Sequence, residues 1–193
     1  LIIKKNKWNN LKSQNQELYG KTIGIVGMGY VGQELAKRCV VFGIKVFYFD
    51  IKRQSKKIET KLNIKFINFK KLLNTCDIIS INASLTKQSK NMINLKNLKL
   101  MKKNSVIVNT ARGLLLDEED LYKVLKKKKI YFSALDVFKV EPLPMSSNLR
   151  KLNNIIMTPH SGPSMETVNK LSKIVATNIL SIYKSKIIQS LES

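Results

Sequence analysis

The amino-acid sequence predicts a doubly wound α/β domain, with helices covering both faces of a parallel sheet. Three observations carry this expectation. Six short apolar segments recur along the chain, helix-forming stretches lie between them, and the first apolar segment runs straight into a glycine triplet that opens the next helical stretch. Strands of near-continuous apolar character are those buried on both faces, the situation in a parallel sheet covered by crossover helices.

In chain order the predicted strands are Thr22–Val26 (TIGIV), Lys45–Phe49 (KVFYF), Asp77–Ile81 (DIISI), Ser105–Asn109 (SVIVN), Tyr131–Leu135 (YFSAL) and Asn154–Thr158 (NIIMT). Each is too short for a globular helix and rich in the β-branched and aromatic residues that suit a strand. Helices are expected over Val31–Phe42, Phe69–Thr75 and Glu118–Lys127, the last with Asp117 as its N-cap. A long helix over 168–186 closes the chain.

Composition narrows the class. At 193 residues and 44% hydrophobic content, one substantial core is expected, and no apolar run is long enough to cross a bilayer, so no membrane partner is expected. Cys39 and Cys76 are too few for a disulfide framework and lack metal-ligand spacing. They fit small core residues in a reducing, cytoplasmic protein, and no metal is expected. The net charge of +22 invites a nucleic-acid reading. However, Lys outnumbers Arg 31 to 4, whereas base and phosphate recognition favours the guanidinium fork. The lysine runs at 56–57, 102–103 and 126–129 fit solvated helix ends and loops. No specific nucleic-acid binding is expected.

The glycine triplet, GMGYVG, places Gly27, Gly29 and Gly32 between the first strand and the first long helix. Gly27 permits a tight turn, Gly29 lets backbone approach a pyrophosphate, and Gly32 lets helix pack close to strand. Asp50 ends the second strand, 18 residues beyond Gly32. A carboxylate there accepts hydrogen bonds from a ribose 2′-hydroxyl and repels a 2′-phosphate, which points to NAD. Arg53 nearby weakens that preference without reversing it. His160 is the only histidine, in MTPHSG, and by itself a lone histidine is an ordinary packed or surface residue.

Longer stretches carry a family resemblance. ELYGKTIGIVGMGYVGQELAKR, CDIISINASLTKQSKNMIN, MKKNSVIVNTARGLLLDEEDL, SALDVFKVEPLP and NNIIMTPHSG, spanning about Trp8 to Thr167, resemble the cofactor domain of D-isomer-specific 2-hydroxyacid dehydrogenases, a Rossmann fold. The resemblance implies NAD as cofactor and a small 2-keto or 2-hydroxy acid as substrate, with phosphoglycerate, hydroxypyruvate and glyoxylate as candidates. It implies that Arg112 binds the substrate carboxylate and polarises its carbonyl, that His160 is the general acid/base, and that Glu141 hydrogen-bonds the histidine and raises its basicity. Tyr30 and Val31 match backbone contacts to the pyrophosphate. Ser84, Ser89, Thr110, Ala111, Asp136 and Gly162 match further cofactor positions, as do Arg112 and His160. Those residue types suit the chemistry: histidine titrates near neutrality and serves both directions of proton transfer, and a planar guanidinium meets a carboxylate at two points.

Two departures stand out. Asn82-Ala83-Ser84-Leu85-Thr86 replaces the family's usual His-Leu-Pro-Leu-Thr, and loss of that proline predicts a weaker adenine-side wall. Residues 1–18 resemble the end of an inter-domain helix and linker, with 19–193 the cofactor domain, so most of the family's substrate domain is missing. The chain then reads as a fragment or truncated product, expected to bind cofactor but to turn over 2-keto acids poorly or not at all alone. The complete protein is expected to be a homodimer. A non-catalytic NAD(H)-binding module, like the family's corepressors, stays open, because such proteins can retain the catalytic residues.

Overall fold

Residues whose apolar side chains alternate to both faces of an extended segment need cover on both sides, and that requirement organises this molecule. The computed structural model describes residues 17–162 together with Thr167, Ser172, Lys173, Val175, Thr177, Ile179 and Leu180. The described residues fall into two compact units divided after Met157.

The first unit is a seven-stranded, all-parallel sheet in the order β3-β2-β1-β4-β5-β6-β7. The strands are β1 (Thr22–Val26), β2 (Lys45–Phe49), β3 (Ile64–Phe66), β4 (Ile78–Ile81), β5 (Val106–Asn109), β6 (Phe132–Leu135) and β7 (Ile155–Met157). The helices are α1 (Tyr30–Val41), α2 (Lys56–Leu62), α3 (Phe69–Thr75), α4 (Leu95–Leu98) and α5 (Glu118–Lys126). Six strands match the sequence expectation to within a residue at each end, and the doubly wound reading holds.

The strand missed is β3. It is three residues long with Lys65 exposed at its centre, so no apolar run announces it. It follows α2, whose own signal is a Ser55 cap: the Ser55 hydroxyl accepts from Ile58 N–H, and Asn63 ends the helix at φ 50°.

Two buried clusters line the sheet. Ile23 and Ile25 of β1 join Ala36, Cys39, Val46, Tyr48, Leu62 and Ile64 in one. Val26 joins Leu72, Leu73, Ile79, Ile81 and Ile107 in the other. Gly24 lies between Ile23 and Ile25, and a Cβ there would come within 2.6 Å of Leu72, so α3 rests directly on β1 backbone. Both cysteines are buried and unpaired, and burial pushes the Cys76 thiol up to about 12. Asp117 caps α5 as expected, its carboxylate accepting from Asp120 N–H.

The order of connection reverses between β1 and β4, and in open parallel sheets ligands bind beyond the carboxyl ends of strands at such a point. Of the expected remnant over 1–18, only Glu17 and Leu18 lie within the described residues. The expected closing helix over 168–186 is described at six positions, each helical. No helix among the described residues is long and apolar enough to cross a membrane.

Candidate functional site

At the switch point each glycine of the triplet meets a different steric demand. Gly27 has φ +94°, and a Cβ on it would strike Ala83 backbone at 2.6 Å. A Cβ on Gly32 would lie 2.2 Å from the Gly27 carbonyl oxygen, so α1 could not seat with any side chain there. Gly29 is the opposite case: nothing lies within 4 Å of where its Cβ would be. Gly29 is also the N-cap of α1 and supplies no side-chain hydrogen bond to the first turn. A helix N-terminus with uncapped N–H groups and open space before it fits a phosphate.

Two cavities flank this turn. One, of about 300 Å³, is lined by Gly27, Gly29, Asp50, Ser84 and Ser89 among others. The second, of about 410 Å³, is lined by Val31, Asn82, Ala83, Ser84, Leu85, Thr110, Ala111 and Arg112. They share the Asn82–Ser84 turn, so the two spaces follow one another around the glycines. The residues present therefore fit a dinucleotide.

Asp50 uses one oxygen inside the protein, accepting Met28 N–H at 2.6 Å. The Met28 carbonyl accepts from the Gln33 and Gln54 side chains, which pins the middle of the turn. Ser89 braces the loop opposite: its hydroxyl accepts Thr86 N–H at 2.7 Å and donates to the Ser84 carbonyl at 2.9 Å. Ser84 stands where the family has proline, and its carbonyl accepts the Ser89 hydroxyl, while Asn82, two residues earlier, turns its amide back onto the Ser80 hydroxyl.

The arginine loop is shaped by a residue that sequence reasoning passed over. Asn109, buried at the end of β5, accepts Ala111 N–H and donates to the Arg112 carbonyl, closing Thr110–Arg112 into a tight loop. A short polar side chain ending an apolar strand is the signal that could have found it. The exposed Arg112 guanidinium donates to the Ala111 carbonyl at 2.6 Å. Gly113 follows, and a Cβ there would lie 2.0 Å from the Phe138 carbonyl carbon and oxygen. Any side chain would drive the arginine loop off the loop bearing Glu141. That second loop is fastened by Glu141 itself, which accepts Phe138 N–H at 2.9 Å, and by Glu118 of α5, which accepts Lys139 N–H. Glu118 carried no sequence signal beyond its place in the first helical turn. Asp136 follows β6, its N–H bonded to the Asn109 carbonyl.

The structure thus brings together Gly27, Gly29, Gly32, Tyr30, Val31, Asp50, Ser84, Ser89, Thr110, Ala111, Arg112, Asp136 and Glu141 at the strand carboxyl ends of the first unit. His160 and Gly162 belong to the second unit. Within it, His160 donates its N–H to the Thr158 carbonyl and sits at φ 51°. That is a left-handed conformation uncommon for a side chain-bearing residue and concentrated at functional sites.

Residues 2–162 match the sequence profile of the D-isomer specific 2-hydroxyacid dehydrogenase NAD binding domain. This chain belongs to that family. The chain is 39% identical over 181 residues to a glyoxylate reductase of Thermofilum pendens, covering 93% of this chain and 53% of the relative. It is 40% identical over 165 residues to a hydroxypyruvate reductase of Thermotoga maritima, covering 84% of this chain and 52% of the relative. Its fold superposes at a TM-score of 0.79 on the NAD-complexed form of a D-isomer specific 2-hydroxyacid dehydrogenase from Lactobacillus delbrueckii ssp. bulgaricus, with 29% identity, 88% of this chain and 55% of the other covered. The chain spans about half the length of these curated relatives. Its cofactor is NAD, consistent with the cradle described above.

Proposed function

We propose that the protein interconverts a small 2-keto acid and the corresponding D-2-hydroxy acid, with glyoxylate and hydroxypyruvate as the first substrates to test. The observation that carries this reading is the backbone contact at Gly113, which joins the loop of Arg112, a residue lining the 410 Å³ cavity, to the Glu141 loop. A binding module of corepressor type can retain the same residues, so turnover and not their presence separates the two readings.

Gly27, Gly29, Gly32, Tyr30, Val31 and Asp50 would hold the cofactor, with Ser84, Ser89, Thr110, Ala111, Asp136 and Gly162 contributing around it. Bound NADH supplies the hydride. Arg112 takes the substrate carboxylate in two-point contact and draws electron density from the adjacent carbonyl. The His160 imidazolium gives the carbonyl oxygen its proton as the carbon becomes a C–H centre, and takes that proton back in the oxidation. Glu141 is carried over from the family resemblance as the carboxylate that accompanies that proton transfer. Asp50, as acceptor of a ribose hydroxyl, favours NADH over NADPH. The proposal extends to a cytoplasmic protein without specific nucleic-acid binding, supported by the two unpaired buried thiols and by the scarcity of arginine, and to a homodimer, which rests on the family resemblance alone.

The test follows NADH oxidation by the purified chain with glyoxylate, hydroxypyruvate and pyruvate, in wild type and His160→Gln. His160→Gln is expected to lower turnover by ~10²–10⁴-fold, the usual worth of general acid–base catalysis, while NADH binding holds. Equal rates in the two proteins would remove His160 from the chemistry. NADH binding with turnover on none of the three acids, by a form of the protein that also carries a substrate domain, would favour a binding module.

A further inference from the structure

Three residues beyond Asp50 stands the one group in its loop that matches a phosphate in two-point contact. Arg53 is always charged, so only geometry can withhold it from a ligand. The structure shows such a restraint. Arg53 Nε donates to Glu59 Oε1 at 2.9 Å and Nη2 donates to Glu59 Oε2 at 2.8 Å, a two-point fork. The guanidinium also lies over the Phe66 ring, 5.5 Å from its centroid.

Glu59 is itself held. The Tyr48 hydroxyl, at the buried centre of β2, donates to Glu59 Oε1 at 2.8 Å and accepts Gln54 N–H at 2.9 Å. The Gln54 side chain in turn donates to the Met28 carbonyl, and Asp50 accepts the Met28 N–H. The loop 50–54 is therefore stapled to the glycine turn at both ends, while its arginine is tied outward to α2. Arg53 is the first cause of the lowered Glu59 carboxyl, with the Tyr48 hydroxyl adding to it, and together they bring it to about 2, so the pair stays ionised at neutral pH.

We propose that Glu59 is a cofactor-specificity residue: by clamping Arg53 against Phe66 it keeps that guanidinium from a 2′-phosphate, and so leaves Asp50 to set the preference for NADH. This rests on reading Asp50 as the ribose acid. The Arg53 side chain is 56% exposed, and an ion pair open to water on one side is weak by itself. The Tyr48 and Phe66 contacts are what make the position of the fork reproducible. A 2′-phosphate would have to overcome Asp50 and compete with Glu59 for the same fork.

The experiment measures dissociation constants for NADH and NADPH by calorimetry in wild type, Glu59→Gln, Arg53→Lys and Glu59→Gln/Arg53→Leu. Removing the Glu59 charge is expected to tighten NADPH by ~10-fold, the scale of one charge-assisted contact, with NADH unchanged. The double variant is expected to lose that gain. Arg53→Lys keeps a cation but cannot fork, so a smaller gain for NADPH is expected there, and this variant reads the proposal even if Glu59→Gln folds poorly. Retained NADH binding without tighter NADPH in both single variants would overturn it. So would a gain that persists in the double variant, because Lys52 or the mere loss of negative charge would then account for it. Failure of the underlying reading has a different signature: wild type binding both cofactors equally, with Asp50→Ala changing neither.

Discussion

Asp77 and Asp50 stand at opposite ends of the two strands that flank β1, and they are used in opposite ways. Asp77 precedes β4, where the parallel strands begin. Its Oδ2 accepts from Thr22 N–H at 2.9 Å and from the Thr22 hydroxyl at 2.7 Å, and its Oδ1 accepts from Lys102 Nζ at 2.9 Å. Partial burial alone would raise its pKa, but the Lys102 and Thr22 donors outweigh it and hold the carboxyl down to about 2. Asp50 follows β2, where the strands end. It has one short bond, to Met28 N–H, and its other oxygen is 3.4 Å from Lys52 N–H, beside a cavity.

The groove beside Asp77 is the larger space, about 690 Å³. Size does not make it the site. Its carboxylate is already committed to the chain's own donors, so that end of the sheet is fastened, whereas the other end keeps acceptor capacity and uncapped helix N–H groups for a ligand. The same residue type thus serves stability at one end and recognition at the other.

Three variants can break this contrast. The largest effect is expected from Gly29→Ala. Its φ of −73° suits alanine, so the melting temperature should move by no more than about 2–4 °C, the shift for 1 kcal/mol in a domain this size. The added methyl would fill the open space before α1, and NADH affinity should fall by roughly 100-fold through lost charge-assisted hydrogen bonds. Calorimetry and thermal melting on one sample check both halves. A stability loss that tracks the binding loss would show that this end is fastened too.

Asp50→Ala should act less strongly, and on discrimination. The NADH-over-NADPH ratio is expected to shrink by ~10-fold, about the worth of one hydrogen bond to a charged group. Fluorescence titration with both cofactors reads it, and an unchanged ratio would count against Asp50 as the ribose acid.

Asp77→Asn should do the converse, leaving NADH affinity alone and lowering stability by about 1 kcal/mol once solvent screening of the exposed Lys102 is discounted. The direction with pH follows from the depressed carboxyl. An acid whose folded pKa lies below its unfolded value stabilises fully above the unfolded value, near 4, and loses that contribution as pH falls towards the folded value of about 2. Wild type and variant should therefore differ at pH 6 and converge near pH 2, a comparison urea titration makes directly. A gap independent of pH would mean that Asp77 acts by shape and not by charge.

Much of this was legible in the chain. The strands Thr22–Val26 and Lys45–Phe49 and the helix Phe69–Thr75 have the predicted boundaries, because apolar run length and flanking caps are local signals. Helix α1 starts one residue early, at Tyr30, since Gly29 serves as its cap. The glycine triplet and Asp50 were legible because their spacing is set by one strand–turn–helix–strand unit. Asn109, Gln54 and Glu118 were not, because each acts on backbone belonging to a turn or loop whose position depends on folding. The partner of Arg53 was not legible for the same reason: six residues on, Glu59 occupies its fork.

What the sequence by itself determined is the fold class, the cradle and the family, each written in patterns that repeat within a few residues or follow at fixed spacing. Only the tertiary structure decided which polar groups are already satisfied. Thr22 and Asp77 lie 55 residues apart, and Gly113 meets Phe138 from a different strand. The reason is physical. Local periodicity and capping act through a residue's own neighbours along the chain, whereas the fate of a carboxylate or the need for a missing Cβ depends on which distant backbone the packed sheet brings within 3 Å or so. No spacing rule along the chain encodes that distance.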